Sequence, residues 1–212
     1  MRLLKNSIVF IVIAVLGILL LVMSIKDKIE LAKPPAVLTE MTEDDFYNGR
    51  FVEGDIYEIW EGYATLQESD TIFGISYNTK TSAYYYAMPL ETSFETGILK
   101  FVALSLRDSS DVITADRMVE ESYAFYSDGI ELKTMMHVKG KVTKLKGENK
   151  KHFDEYMEYE GFVPSTTSVY YVINVGNDGS GSTAELLIGI GITVVGVLGT
   201  LFTIIRGRAR GL

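Results

Sequence analysis

Two uncharged apolar runs constrain this chain more than any other feature, because each is long enough to cross a bilayer. Residues 7–25 read SIVFIVIAVLGILLLVMSI and residues 186–205 read LLIGIGITVVGVLGTLFTII. A helix rises about 1.5 Å per residue, so roughly 20 apolar residues span a hydrocarbon core of about 30 Å. The chain therefore divides into a short N-terminus (residues 1–6), a first span (7–25), a membrane-proximal linker with a short helix (26–50), a β-rich domain (51–175), a Gly/Ser linker (176–185), a second span (186–205) and a basic tail (206–212). If both runs insert, everything between them lies on one side of the membrane.

The flanks give the orientation. Arg2 and Lys5 precede the first run, and Arg206, Arg208 and Arg210 follow the second. Basic residues beside a span stay on the cytoplasmic side. Lys26, Lys28 and Lys33, just past the first run, oppose that assignment. Both termini are expected in the cytoplasm and the central domain outside. The first run is longer than a signal-peptide core and no A-x-A site ends it, so an uncleaved anchor is expected.

Charge narrows the partners. The chain holds 20 basic and 28 acidic residues, a formal net charge of −8, and the basic flanks of the spans make the intervening domain more acidic still. Such a surface repels nucleic acid, and the run of Lys139, Lys141, Lys144, Lys146, Lys150 and Lys151 reads as a solvated strand edge and helix start. Cysteine is absent, which excludes disulfides, thiolate metal sites and cysteine nucleophiles. The expected partners are the lipid bilayer and either a membrane protein or a second copy of the chain.

Periodicity places strands at residues 51–60, 63–67, 72–77, 83–90, 99–107, 135–146 and 169–175, with helices at about 110–128 and 148–160. A short helix over residues 38–47 is capped by Thr39 or Thr42. In the first inserted helix Val112, Ala115, Val119, Ser122, Tyr123 and Tyr126 form one apolar stripe. Two strands share V-x-G-x-I/V: Val52-Glu53-Gly54-Asp55-Ile56 and Val138-Lys139-Gly140-Lys141-Val142. Glycine within a strand marks a bend or bulge, as strands coiling around a small barrel require. The expected class is α+β: two transmembrane helices flanking a small, OB-like, partly open barrel with two inserted helices.

A short N-terminal anchor, a V-x-G-x-I-Y strand, the Tyr84-Tyr85-Tyr86 strand ending in Pro89-Leu90, a central amphipathic helix, a second V-x-G-x-V strand, a Y-Y-V-I strand at residues 170–173 and a final span make up the chain. In this layout it resembles the small uncharacterised two-span membrane proteins of clostridial Gram-positive bacteria. The resemblance implies a bacterial plasma membrane and carries no activity.

No catalytic motif stands in the sequence. G-x-S-x-G, S-x-x-K, HExxH and the phosphate-loop pattern are missing, and no metal or other cofactor is indicated. The histidines, His137 and His152, lie on different elements and outside any ligand spacing. Glu53 and Asp55 share one strand face and, with Glu58, are the carboxylates an acid/base pair or a carbohydrate site would use. Tyr84-Tyr85-Tyr86 sets rings on both faces of one strand; the core reading is preferred, with Tyr85 the candidate for an exposed recognition ring if its face is uncovered, while Trp60 reads as core or barrel rim. In the second span Gly189 with Thr193 and Gly196 with Thr200 form small-xxx-small pairs suited to close helix packing. The expected function is non-enzymatic: a membrane-anchored domain that binds a protein partner. The alternative is an extracytoplasmic hydrolase or cell-wall carbohydrate binder on the acidic strand face.

Overall fold

The computed structural model describes residues 2–72, 75–177, 179 and 181–209. Asp178 and Ser180 of the expected linker and Arg210 of the basic tail lie outside the described residues. In chain order the elements are helix α1 (Arg2–Leu31), strands β1 (Ala36–Val37), β2 (Phe51–Ile56), β3 (Glu61–Ile72) and β4 (Ile75–Pro89), helix α2 (Glu91–Thr96), strand β5 (Phe101–Leu106), helix α3 (Ser109–Asp128), strand β6 (Met136–Lys144), helices α4 (Gly147–Tyr159) and α5 (Pro164–Thr167), strand β7 (Ser168–Val175) and helix α6 (Ser182–Ala209). They form two compact units. One comprises Met1–Lys33 and Gly179–Leu212, the other Pro34–Asp178.

The central unit is built on one seven-stranded sheet in the order β1-β2-β6-β7-β5-β4-β3. The β1–β2 and β5–β7 pairs are parallel, and the remaining neighbours are antiparallel. Helices cover both faces. Val102, Leu104, Leu106, Tyr86 and Met88 join Ala115 and Met118 of α3 in one core. Phe101, Ala103, Tyr85 and Ala87 join Phe153, Tyr156 and Met157 of α4 in the other. Every residue of β5 is buried. A strand covered on both sides belongs to a layered α/β arrangement, whereas a small barrel has one buried face per strand.

The fold is thus a mixed α/β structure on an open sheet, with β1 and β3 at its edges. The barrel expectation rested on glycines in V-x-G-x-I/V, and their role here is close approach. A Cβ on Gly140 would lie 2.5 Å from the Asn174 carbonyl oxygen, and one on Gly54 would lie 3.1 Å from Cβ of Leu38. Gly140 sits where β6, paired with β2 along its first half, takes up its pairing with β7.

Three local differences have plain causes. Residues 38–47 form two 3-10 turns instead of a helix, because Thr42 caps the second turn through Asp45 Oδ2, 2.9 Å from its amide. The strands expected at 63–67 and 83–90 lie within the long, antiparallel β3 and β4, with register shifts along them; of the strand expected at 72–77, Ile72 ends β3 and residues 75–77 open β4, while Phe73 and Gly74 lie outside the described residues. The apolar stripe of α3 outruns the sheet: Ala115, Met118 and Ser122 are buried, but Tyr123 and Tyr126 are 55% and 54% exposed.

The other unit is the pair α1 and α6. Segments Ile8–Leu31 and Thr183–Arg206 are each 24 residues, long and apolar enough to cross a membrane. Gly17 meets Thr193, Gly189 meets Leu21, Gly196 meets Ala14 and Gly199 meets Phe10, so the helices run antiparallel. A Cβ on Gly17 would come within 2.6 Å of the Thr193 amide nitrogen. Thr193 and Thr200 fold their hydroxyls back onto the Gly189 and Gly196 carbonyls, each at 2.8 Å, and so offer small, internally satisfied surfaces. Lys28 donates to the Thr183 hydroxyl at the end where the chain leaves the pair.

Candidate functional site

The strand face carrying Glu53 and Asp55 is an ion-paired surface. Antiparallel register sets Glu53 opposite Lys139 and Asp55 opposite His137. His137 Nδ1 lies 2.7 Å from Asp55 Oδ1, its Nε2 lies 3.4 Å from Glu53 Oε1, and Lys139 Nζ lies 3.3 Å from Glu53 Oε2. The hydrogen bond to Asp55, aided by Glu53, raises the His137 pKa above its ordinary value. Both carboxylates are thus engaged across the strands on an open surface. Glu58 does not join them. It lies past the end of β2, where its Oε1 accepts from Trp60 Nε1 at 2.5 Å and from the Tyr126 hydroxyl at 2.8 Å.

Tyr85 is a core residue, only 7% exposed, with its ring centroid 6.2 Å from that of Tyr63 in the layer beneath α4. It offers no recognition surface, because α4 covers the face of β4 on which it stands. Its neighbour Tyr86 points to the opposite core and donates its hydroxyl to Asp116 at 2.7 Å. His152 pairs with Glu155 along α4. Among the described residues, no group of three or more His, Asp and Glu side chains is placed to hold a metal ion.

An aromatic recess lies elsewhere, at the start of the edge strand β3. Helices α3 and α4, from opposite faces of the sheet, line a recess of about 140 Å3 with Trp60, Tyr123, Tyr126, Tyr156 and Glu160. Trp60 is fixed from below: its amide donates to the Ala87 carbonyl at 2.9 Å, and its ring meets Phe101 and Phe162 at 4.9 and 5.4 Å. The Tyr126 ring stands 5.6 Å from it, edge on. Tyr123 donates to Glu61 Oε2 at 3.3 Å.

Acidic groups crowd this recess. Burial first, and the Glu61 charge second, raise the pKa of the Glu160 carboxyl. Burial and the bond to Glu58 push the Tyr126 phenol up to about 12. The sequence signals were present but point to the core: Tyr123 and Tyr126 continue the helical stripe, and Trp60 continues the alternation of β2. What could have flagged them is the set of Glu58, Glu61 and Glu160 beside aromatic residues, a pairing visible only once α3 and α4 are docked.

A family model described as Domain of unknown function (DUF8577) matches residues 1–206, both apolar helices and the whole domain included. None of the curated proteins matches the chain.

Proposed function

The chain belongs to that DUF8577 family, and from this premise we propose that it is an integral membrane protein carrying a non-enzymatic binding domain. In this reading α1 and α6 cross a bacterial plasma membrane as an antiparallel pair. Both termini lie in the cytoplasm, and the domain of residues 34–178 is displayed outside to bind a protein partner, either another membrane protein or a second copy of the chain. The observation that carries it is the surface of the helix pair. Its small residues meet inside, while Leu16, Met23, Leu187, Phe202 and Ile205 are all more than half exposed. Only 11% and 17% of the two apolar windows are buried, which supports a lipid surrounding for this surface over a place in a protein core.

The hydrolase or carbohydrate-binding alternative draws less support. Its carboxylates are divided between the His137 and Lys139 pairings of Glu53 and Asp55 and the Trp60 bond of Glu58.

Because the chain has no cysteine, its topology is directly testable by cysteine labelling. In intact cells a membrane-impermeant maleimide should label Glu131→Cys, an exposed domain position, but not a cysteine appended after Leu212. Both should label after permeabilisation. Protection of Glu131→Cys in intact cells, or release of the chain by alkaline carbonate, would sink the reading.

A further inference from the structure

We propose that the recess formed by Trp60, Tyr123, Tyr126 and Tyr156 is a binding site for a quaternary ammonium group. The site gives the domain a small-ligand function that the membrane reading does not contain and on which it does not depend.

The walls set the first requirement. Four aromatic side chains, one from the connection before β3 and three from helices α3 and α4, line a recess of about 140 Å3, and among the described residues no Lys or Arg lines it. Aromatic rings carry negative potential on their faces, so an enclosure of this kind attracts a cation and repays its desolvation through many weak contacts. Two walls, Tyr123 and Tyr126, are more than half exposed although their rings are large, as expected of a surface that awaits a ligand.

Charge sets the second. Glu160 lines the cavity, and Glu58 and Glu61 are bonded to the hydroxyls of two of its walls. Burial first, and the repulsion of the nearby Glu61 charge second, raise the Glu160 pKa. A bound cation relieves that repulsion, whereas an anion or a neutral sugar does not.

Hydrogen bonding selects among cations. A primary ammonium is strongly hydrated and needs free acceptors in return. Here Glu58 Oε1 already accepts from both Trp60 and Tyr126, and Glu61 Oε2 accepts from Tyr123. Those two oxygens are engaged, which leaves Glu160 as the one carboxylate in a lining otherwise made of aromatic rings and the Ser122 side chain. A tetraalkylated nitrogen demands no hydrogen bonds, is weakly hydrated and presents methyl groups to the rings. Free choline-like solutes and the headgroups of choline lipids share this chemistry.

Trp60 is the chain's sole tryptophan, so fluorescence excited selectively in tryptophan, beyond the tyrosine absorption edge, reports on this site. The full chain in maltoside micelles, at constant ionic strength, is titrated with tetramethylammonium, with choline and with 3,3-dimethylbutanol, the uncharged carbon analogue of choline. The expected result is a saturable change with both cations at about millimolar concentrations and none with the alcohol. Glu58→Gln, which keeps an acceptor but loses the charge, and Tyr123→Ala, at an exposed position, should each weaken binding about three- to tenfold. Vesicles of choline lipid that produce the same change assign the source to a headgroup; a response to free choline alone assigns it to a solute. No saturable response at tens of millimolar, equal binding of the alcohol, or unchanged affinity in both variants would overturn the site. Failure here leaves the cysteine-labelling result untouched, so the two readings fail separately.

Discussion

His137 bridges two carboxylates of the neighbouring strand, with Nδ1 2.7 Å from Asp55 Oδ1 and Nε2 3.4 Å from Glu53 Oε1. Both ring nitrogens face acceptors, an arrangement that only the doubly protonated imidazolium satisfies in full.

Because that environment raises the His137 pKa in the folded chain, its contribution to stability is present in full below the unfolded value. It is lost as pH rises through the folded value. Thermal midpoints should therefore fall as pH rises above the ordinary histidine value of about 6.5. His137→Gln should flatten this part of the profile, as should Asp55→Asn. A profile that keeps its slope in both variants would assign it to other groups.

Gly140 should resist even the smallest side chain. Its Cβ would collide with the backbone of β7 at Asn174 O, which cannot rotate away. Gly140→Ala should cost about 1–3 kcal/mol in denaturant unfolding. Gly54→Ala, whose Cβ would stand 3.1 Å from Leu38, should cost less. Equal losses would show that β6 adjusts at this point as readily as β2.

Tyr85 should behave as core. Its truncation to Ala should destabilise the domain by about 3–5 kcal/mol, the usual range for a buried aromatic ring. Exposed Tyr84→Ala should change the unfolding midpoint little by comparison. The two residues are adjacent in sequence, so the contrast isolates the face of the strand.

The helix pair predicts a specific crosslink. In the cysteine-free chain, Leu21→Cys with Gly189→Cys should form an intramolecular disulfide on oxidation, since a Cβ at 189 lies 3.2 Å from the Leu21 amide nitrogen. Adding Gly196→Leu should suppress it, because the larger side chain runs into the Ala14 backbone. Undiminished crosslinking would mean that Gly196 does not set the approach of the helices.

Much of the secondary structure was legible in local pattern. The stripe Val112–Ala115–Val119 and the alternation of Val102, Leu104 and Leu106 follow from periods of 3.6 and 2, which need no tertiary information. What the same patterns hid is which faces are covered twice. Alternation sets Ala103 on the face opposite Val102 and Leu104, but α4 packs over it and Phe101 and makes that face a second core. Strand pairing between distant segments was equally hidden: nothing local sets Asp55 against His137 or brings β5 beside β7 in parallel. The aromatic recess failed for a related reason. An exposed Tyr at the end of a helix and a buried one carry the same periodic signal, and only the length of the sheet beneath the helix distinguishes them.

Sequence alone determined that this chain has two apolar helices of membrane-crossing length around an acidic, cysteine-free domain, because length and hydropathy are sums over neighbouring residues. The tertiary structure decided that the domain is an open sheet between two helical layers. It also turned Glu53 and Asp55 to ion pairing, buried Tyr85, and made Trp60 the floor of a recess. Each of those outcomes depends on contacts between residues far apart in the chain, whose energies no local pattern contains.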